Sequence, residues 1–193
     1  MKKSLSFAAA IVCAATVSAQ QPTPAPAQTP QQPTTIDLAT NLKRQHTNIR
    51  KYLSASSTKM AEADYGFRPQ GVDPVVRTFG QLVIHLANAN NMFCARALGE
   101  QAKPATDETV SMAKADLVKL LEDALVLCDR AYDGLTAASA VETIKVQGRN
   151  DTVTEVARAN PLINNLAHNN EHYGNIVTYM RAKGLVPPSS EGR

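Results

Sequence analysis

The chain has 193 residues and a formal charge of +3, from 20 basic and 17 acidic side chains. Lys2 and Lys3 fall in a predicted leader, and removing both leaves +1 with no basic stripe. This argues against a nucleic-acid partner, which would need clustered Lys and Arg to follow a phosphate backbone.

The N-terminus reads as a secretory signal peptide over residues 1–19. "MKK" is a positive start, "LSFAAAIVCAATV" a short apolar run, and "VSA" before Gln20 a small-x-small cleavage pattern. Large Val12 stands where a lipoprotein would carry a small residue before Cys13. The apolar run is short for a membrane span and no other segment supplies one, so no stable span is expected. The mature protein is therefore expected in the periplasm or outside the cell. "QQPTPAPAQTPQQPTT" follows, residues 20–35, with no charge and no aromatic residue. Such a tract cannot build a core and is expected to be a disordered, partly extended tether. The folded part then covers residues 36–190 as a single domain of about 150 residues, enough for a true core.

Hydrophobic periodicity predicts four helices and little strand. The first spans 37–60, capped by Asp37, with Leu38, Leu42, Ile49, Tyr52 and Leu53 on one side. The second begins at "DP", with Asp73 as cap and Pro74 in the first turn, and ends at Leu98–Gly99. Its apolar face is Val75, Phe79, Leu82, Leu86 and Phe93. The third spans 111–134, with Leu117, Leu120, Leu121, Ala124, Leu127, Cys128 and Ala131 in register. "VETIKVQGRNDTV" is β-branched and reads as an extended excursion. The fourth opens at Asn160–Pro161, carries Leu162, Leu166, Tyr173, Val177 and Met180, and stops at Gly184. The fold class is all-α, a four-helix bundle. The cysteines beyond the leader, Cys94 and Cys128, most simply form one disulfide in an exported chain. Two buried free thiols are the alternative.

"NNLAHNNEHYG" places His168 and His172 one turn apart on the same flank of the fourth helix. His85 stands in the same relation to the apolar stripe of the second helix. Three neutral imidazoles from two neighbouring helices would leave a metal open to a ligand, whereas structural zinc sites are closed by four protein ligands. Each histidine alone is more often a polar boundary residue. His46, within "LKRQHTNIR", is expected to be solvated. Glu171 lies inside the HxxxH but points away from the face the pair shares.

"DYGFRPQGVDPVVRTFGQLVIHLANANNMFCARALGE" and "LAHNNEHYGNIVTYMRAKGLVPPSS" resemble the DinB-like superfamily, and more narrowly its exported branch. The resemblance covers residues 36–190 and implies an up-down-down-up bundle. It also implies a divalent metal, zinc or nickel, on His85, His168 and His172. Parallel second and third helices would bring Cys94 and Cys128 to one level, whereas a simple hairpin would hold them roughly 20 Å apart. The twelve residues from Gly99 to Val110 can span about 40 Å, enough to return along the bundle.

The resemblance leaves the reaction open, since a shared fold does not transfer function. A metal-dependent hydrolase or thiol transferase acting on a small molecule is one expectation. The other is a non-catalytic secreted module in which the ion stabilises the bundle. No catalytic residue is assigned. Asn88, Asn175 and Tyr179 are the nearest polar helpers by wheel position. Homodimers are common among such bundles, though no interface is legible here.

Overall fold

The computed structural model describes residues 35–148 and 152–192. The predicted signal peptide and all of the tether except Thr35 lie outside the described residues. Within them are five α-helices and one two-stranded sheet. No described helix is long and apolar enough to cross a membrane.

Helix α1 spans Leu38–Lys59 and is capped by Asp37, whose carboxylate accepts from the Thr40 amide at 2.9 Å. Its inward stripe is Ala39, Leu42, His46, Ile49, Leu53 and Ser56. His46 thus belongs to the core, 2% exposed, and the expectation that it is solvated is wrong. The 4-3-4 spacing of Leu42, His46, Ile49 and Leu53 outweighs the charged residues flanking it in sequence.

Helix α2, Phe79–Leu98, starts later than "DP" suggests. Asp73 instead closes its own turn, accepting from the Val75 amide on its side chain and the Val76 amide on its backbone. Thr78 is the true cap, in a reciprocal capping box with Gln81. The amides of Phe79 and Gly80 donate to Phe67 and Tyr65. Those donors are therefore unavailable to an upstream turn, and Val75 is left 81% exposed, off the predicted apolar face. A side chain at Gly80 would put Cβ 3.2 Å from the Tyr65 carbonyl, so this close crossing leaves little room for anything larger than glycine.

Helix α3, Lys114–Asp133, also starts later than predicted. Lys114 Nζ donates to the Thr58 and Met60 carbonyls at the end of α1. A short helix α4, Ala137–Ala140, precedes strands β1, Thr143–Gln147, and β2, Val153–Ala157. The strands pair antiparallel with Ile144 opposite Val156, where the β-branched excursion was expected. Helix α5, Ala159–Ala182, starts ahead of the predicted cap; Asn160 lies in its first turn and accepts from Asn164.

Side-chain pairs give the helix directions. Lys43–Asp133 and Arg50–Glu122 run α1 antiparallel to α3. Gly80 lies beside Leu117 and Cys94 is bonded to Cys128, so α2 and α3 are parallel. His85 meets His168 while Arg77 meets Tyr179, making α2 and α5 antiparallel. The bundle is up-down-down-up. The Cys94–Cys128 disulfide, with Cα atoms 5.0 Å apart, lies wholly inside it. Below the disulfide, buried Asn90, Asn165 and Asn169 bond one another at 2.9–3.3 Å, and Tyr132 donates to Asn165. The amides of α2 and α5 and the Tyr132 hydroxyl of α3 satisfy one another, so their burial costs little and selects one packing.

Candidate metal centre

His85 projects from α2 toward His168 and His172 on α5. The Nε2 atoms of His85 and His168 are 3.1 Å apart. The His172 ring lies 4.7 Å from that of His85 and 4.4 Å from that of His168, centroid to centroid. One donor atom from each falls within 4.8 Å of the others, the one such cluster of three among the described residues. Two nitrogens each about 2.0–2.1 Å from one ion stand roughly 2.8–3.4 Å apart in octahedral or tetrahedral arrangement. The His85–His168 separation falls in that interval.

The outward nitrogen of His85 decides which of its lone pairs faces the cluster. His85 Nδ1 lies 2.8 Å from Glu108 Oε1. A carboxylate there accepts a proton-bearing Nδ1, so His85 presents an Nε2 lone pair to His168. His172 Nδ1 lies 3.2 Å from the side-chain amide of Asn175. Coordination through Nε2 of His172 requires the oxygen of that amide to face the ring, an orientation open to either assignment. His168 Nδ1 is buried with no hydrogen-bond partner, and Phe93 meets that ring at 5.9 Å. The donor set fits a divalent ion bound by neutral imidazoles.

Electrostatics favour neutral rings at His168 and His172. Burial, then the charges of His172, His85 and Arg77, pushes His168 down to about 4. His172 is lowered by burial first and by His85 second. Burial raises the Glu108 carboxyl, but its bonds to Arg77 and His85 outweigh that and hold it below its ordinary value.

The polar helpers expected from the sequence act mainly in support. Asn88 binds the backbone of Thr106 twice, at 2.8 and 2.9 Å, fastening the α2–α3 connection. Tyr179 donates to the Arg77 carbonyl at 2.7 Å. Of the three, Asn175 alone touches a histidine of the cluster. Glu171 is exposed, as its helical position implies. Glu108 and its partner Arg77 are invisible to periodicity, because both lie outside helices; the one signal is an acidic residue in an unusually long connection.

A family model described as the DinB superfamily matches residues 41–176. No curated protein matches the chain. Among solved structures, a DinB-like protein from Bacillus cereus superposes with a TM-score of 0.61 at 16% identity, covering 76% of this chain and 93% of that one. A conserved protein from Enterococcus faecalis superposes with a TM-score of 0.55 at 12% identity, covering 76% and 97%. At these identities the likeness is one of fold.

Proposed function

Since the chain belongs to the DinB superfamily, we propose that it is an exported metalloprotein that binds zinc or nickel through His85, His168 and His172 and acts as a hydrolase or transferase on a small molecule. The observation that carries this reading is the convergence of three imidazoles whose outward nitrogens are turned away from the cluster. A divalent ion held there supplies Lewis acidity toward an oxygen or sulfur atom of a ligand. The chain's own part is to hold the donors and to keep His168 and His172 neutral. Glu108 and Asn175 set the ring orientations, and Phe93 gives the site an apolar wall.

An open site is favoured over a structural staple for two reasons. The His85 side chain keeps 22% of its surface exposed, which leaves an approach for a ligand. The bundle also has other fastenings, the disulfide across α2 and α3 and the buried asparagines. Closing a loop of 34 residues is worth about 3–4 kcal/mol by the chain-entropy argument. Export is supported by the leader sequence and by a disulfide that needs an oxidising compartment. Among transferases, export disfavours one that depends on a cytoplasmic thiol cofactor.

The test is elemental analysis of residues 20–193, purified untagged from an exported preparation, beside His85→Ala and His168→Ala. One ion per chain in wild type, lost in both variants, is expected. A wild type that takes up neither zinc nor nickel on incubation would sink the reading. Intact mass of the same preparation checks export, with a chain beginning at Gln20 expected.

A further inference from the structure

The connection between α2 and α3, residues 99–113, is long for a segment without regular structure, yet it is tied down at each step. The Gly99 turn is left-handed, with φ 72°. Asn91 accepts from the Lys103 amide at 3.4 Å, and Asn88 grips Thr106 through both its amide and its carbonyl. Immediately after Thr106, the Asp107 carboxylate accepts from the amide and hydroxyl of Thr109, both at 2.8 Å, fixing the turn that carries Glu108. Glu108 then reaches back to α2. One carboxylate oxygen meets His85 Nδ1 at 2.8 Å, and the other takes the Arg77 guanidinium at 2.5 Å.

We propose that Glu108 is a positioning residue for the metal centre, holding His85 in the Nδ1–H tautomer with Nε2 aimed at His168 and His172. The inference rests on the metal-binding reading above. An imidazole free to choose its tautomer would spend part of its time with hydrogen on Nε2, where it cannot bind a cation. A carboxylate on Nδ1 removes that state, fixes the ring plane and makes Nε2 a stronger donor. The geometry excludes Glu108 as a direct ligand, because it lies on the side of His85 facing away from the cluster. Arg77 anchors the second oxygen, so the carboxylate cannot swing away without breaking an ion pair. The connection is therefore part of the centre: α2 supplies the ring, and the segment after it sets the ring's orientation.

The experiment measures zinc affinity by competition with a chromophoric chelator at fixed pH, together with the His85 tautomer in metal-free protein by long-range nitrogen-15 NMR. Wild type, Glu108→Ala, Glu108→Gln, Glu100→Gln and His85→Ala are compared. Glu108→Ala is expected to weaken zinc by about 10- to 100-fold and to release His85 from the Nδ1–H tautomer. Glu108→Gln keeps an acceptor without the charge and should fall between it and wild type. Glu100→Gln removes a carboxylate from the same connection, where it pairs with Arg130 away from the histidines, and should bind like wild type. A merely structural role for Glu108 would leave the tautomer unchanged. Zinc affinity within threefold of wild type in Glu108→Ala, or an unmoved His85 tautomer, overturns the proposal while leaving the metal reading intact, provided His85→Ala has lost its zinc. A wild type that binds neither zinc nor, in the same competition assay, nickel overturns both.

Discussion

His46 and His85 are each paired with a carboxylate, yet the two pairs do opposite things. His46 Nε2 meets Asp129 at 2.9 Å, and His85 Nδ1 meets Glu108 at 2.8 Å. Arg50 braces Asp129 as Arg77 braces Glu108. The difference lies in the second nitrogen. His46 is stacked flat on Tyr132, centroids 4.1 Å apart, and its Nδ1 is buried without a partner. His85 turns its second nitrogen toward two more imidazoles. A histidine–carboxylate pair is therefore no mark of a site on its own; convergence of the remaining lone pairs makes one.

The comparison breaks most sharply at metal binding. His168→Ala should lower zinc affinity by at least about 1,000-fold, near 4 kcal/mol, whereas His46→Ala should leave it within threefold. Isothermal titration or chelator competition checks both, and comparable losses in the two variants would erase the distinction. The disulfide joins the helix that carries His85 to the helix that carries Asp129. Replacing Cys94 and Cys128 together by alanine should cost about 3–4 kcal/mol in urea unfolding.

His46→Ala should cost about 2–3 kcal/mol of stability from the lost stack and the cavity left against Tyr132. His168→Ala in metal-free protein should cost less, because His168 is only partly enclosed. Equal losses would mean that the triad is as structural as His46.

The smallest effect is in pH. Burial lowers His46 despite the opposing pull of Asp129, and His168 lies at about 4 against an ordinary 6.5. For both, the unfolded chain takes up more protons in the window below about 6.5, so this stability is full above that pH and is lost as pH falls, for His168 as it approaches 4. Urea midpoints of metal-free protein should drop across that window. His46→Gln should reduce the slope without abolishing it, since His168 still titrates. An unchanged slope would show that His46 is not held neutral by burial.

Helix α1 and the fourth long helix were nearly legible from spacing alone, because caps and apolar stripes involve residues within a turn or two of each other. The starts of α2 and α3 were not. Asp73–Pro74 satisfies the local rules for a helix start, but the amides of Phe79 and Gly80 are claimed by Phe67 and Tyr65, which no local rule can see. His46 was misjudged through its charged neighbours in sequence, although its spacing from Leu42, Ile49 and Leu53 already placed it inside.

The sequence by itself determined the donor types and their facing: two histidines one turn apart on one helix flank, and a third on the flank of another. It also carried the family pattern from which the helix directions followed. Tertiary structure alone decided that Glu108 belongs to the centre, that Asn88 serves it through the Thr106 backbone, and that His46 does not. Periodicity reports which way a side chain leaves its own helix. It is silent about side chains in an aperiodic connection, whose positions depend on hydrogen bonds to helices made only when the bundle closes.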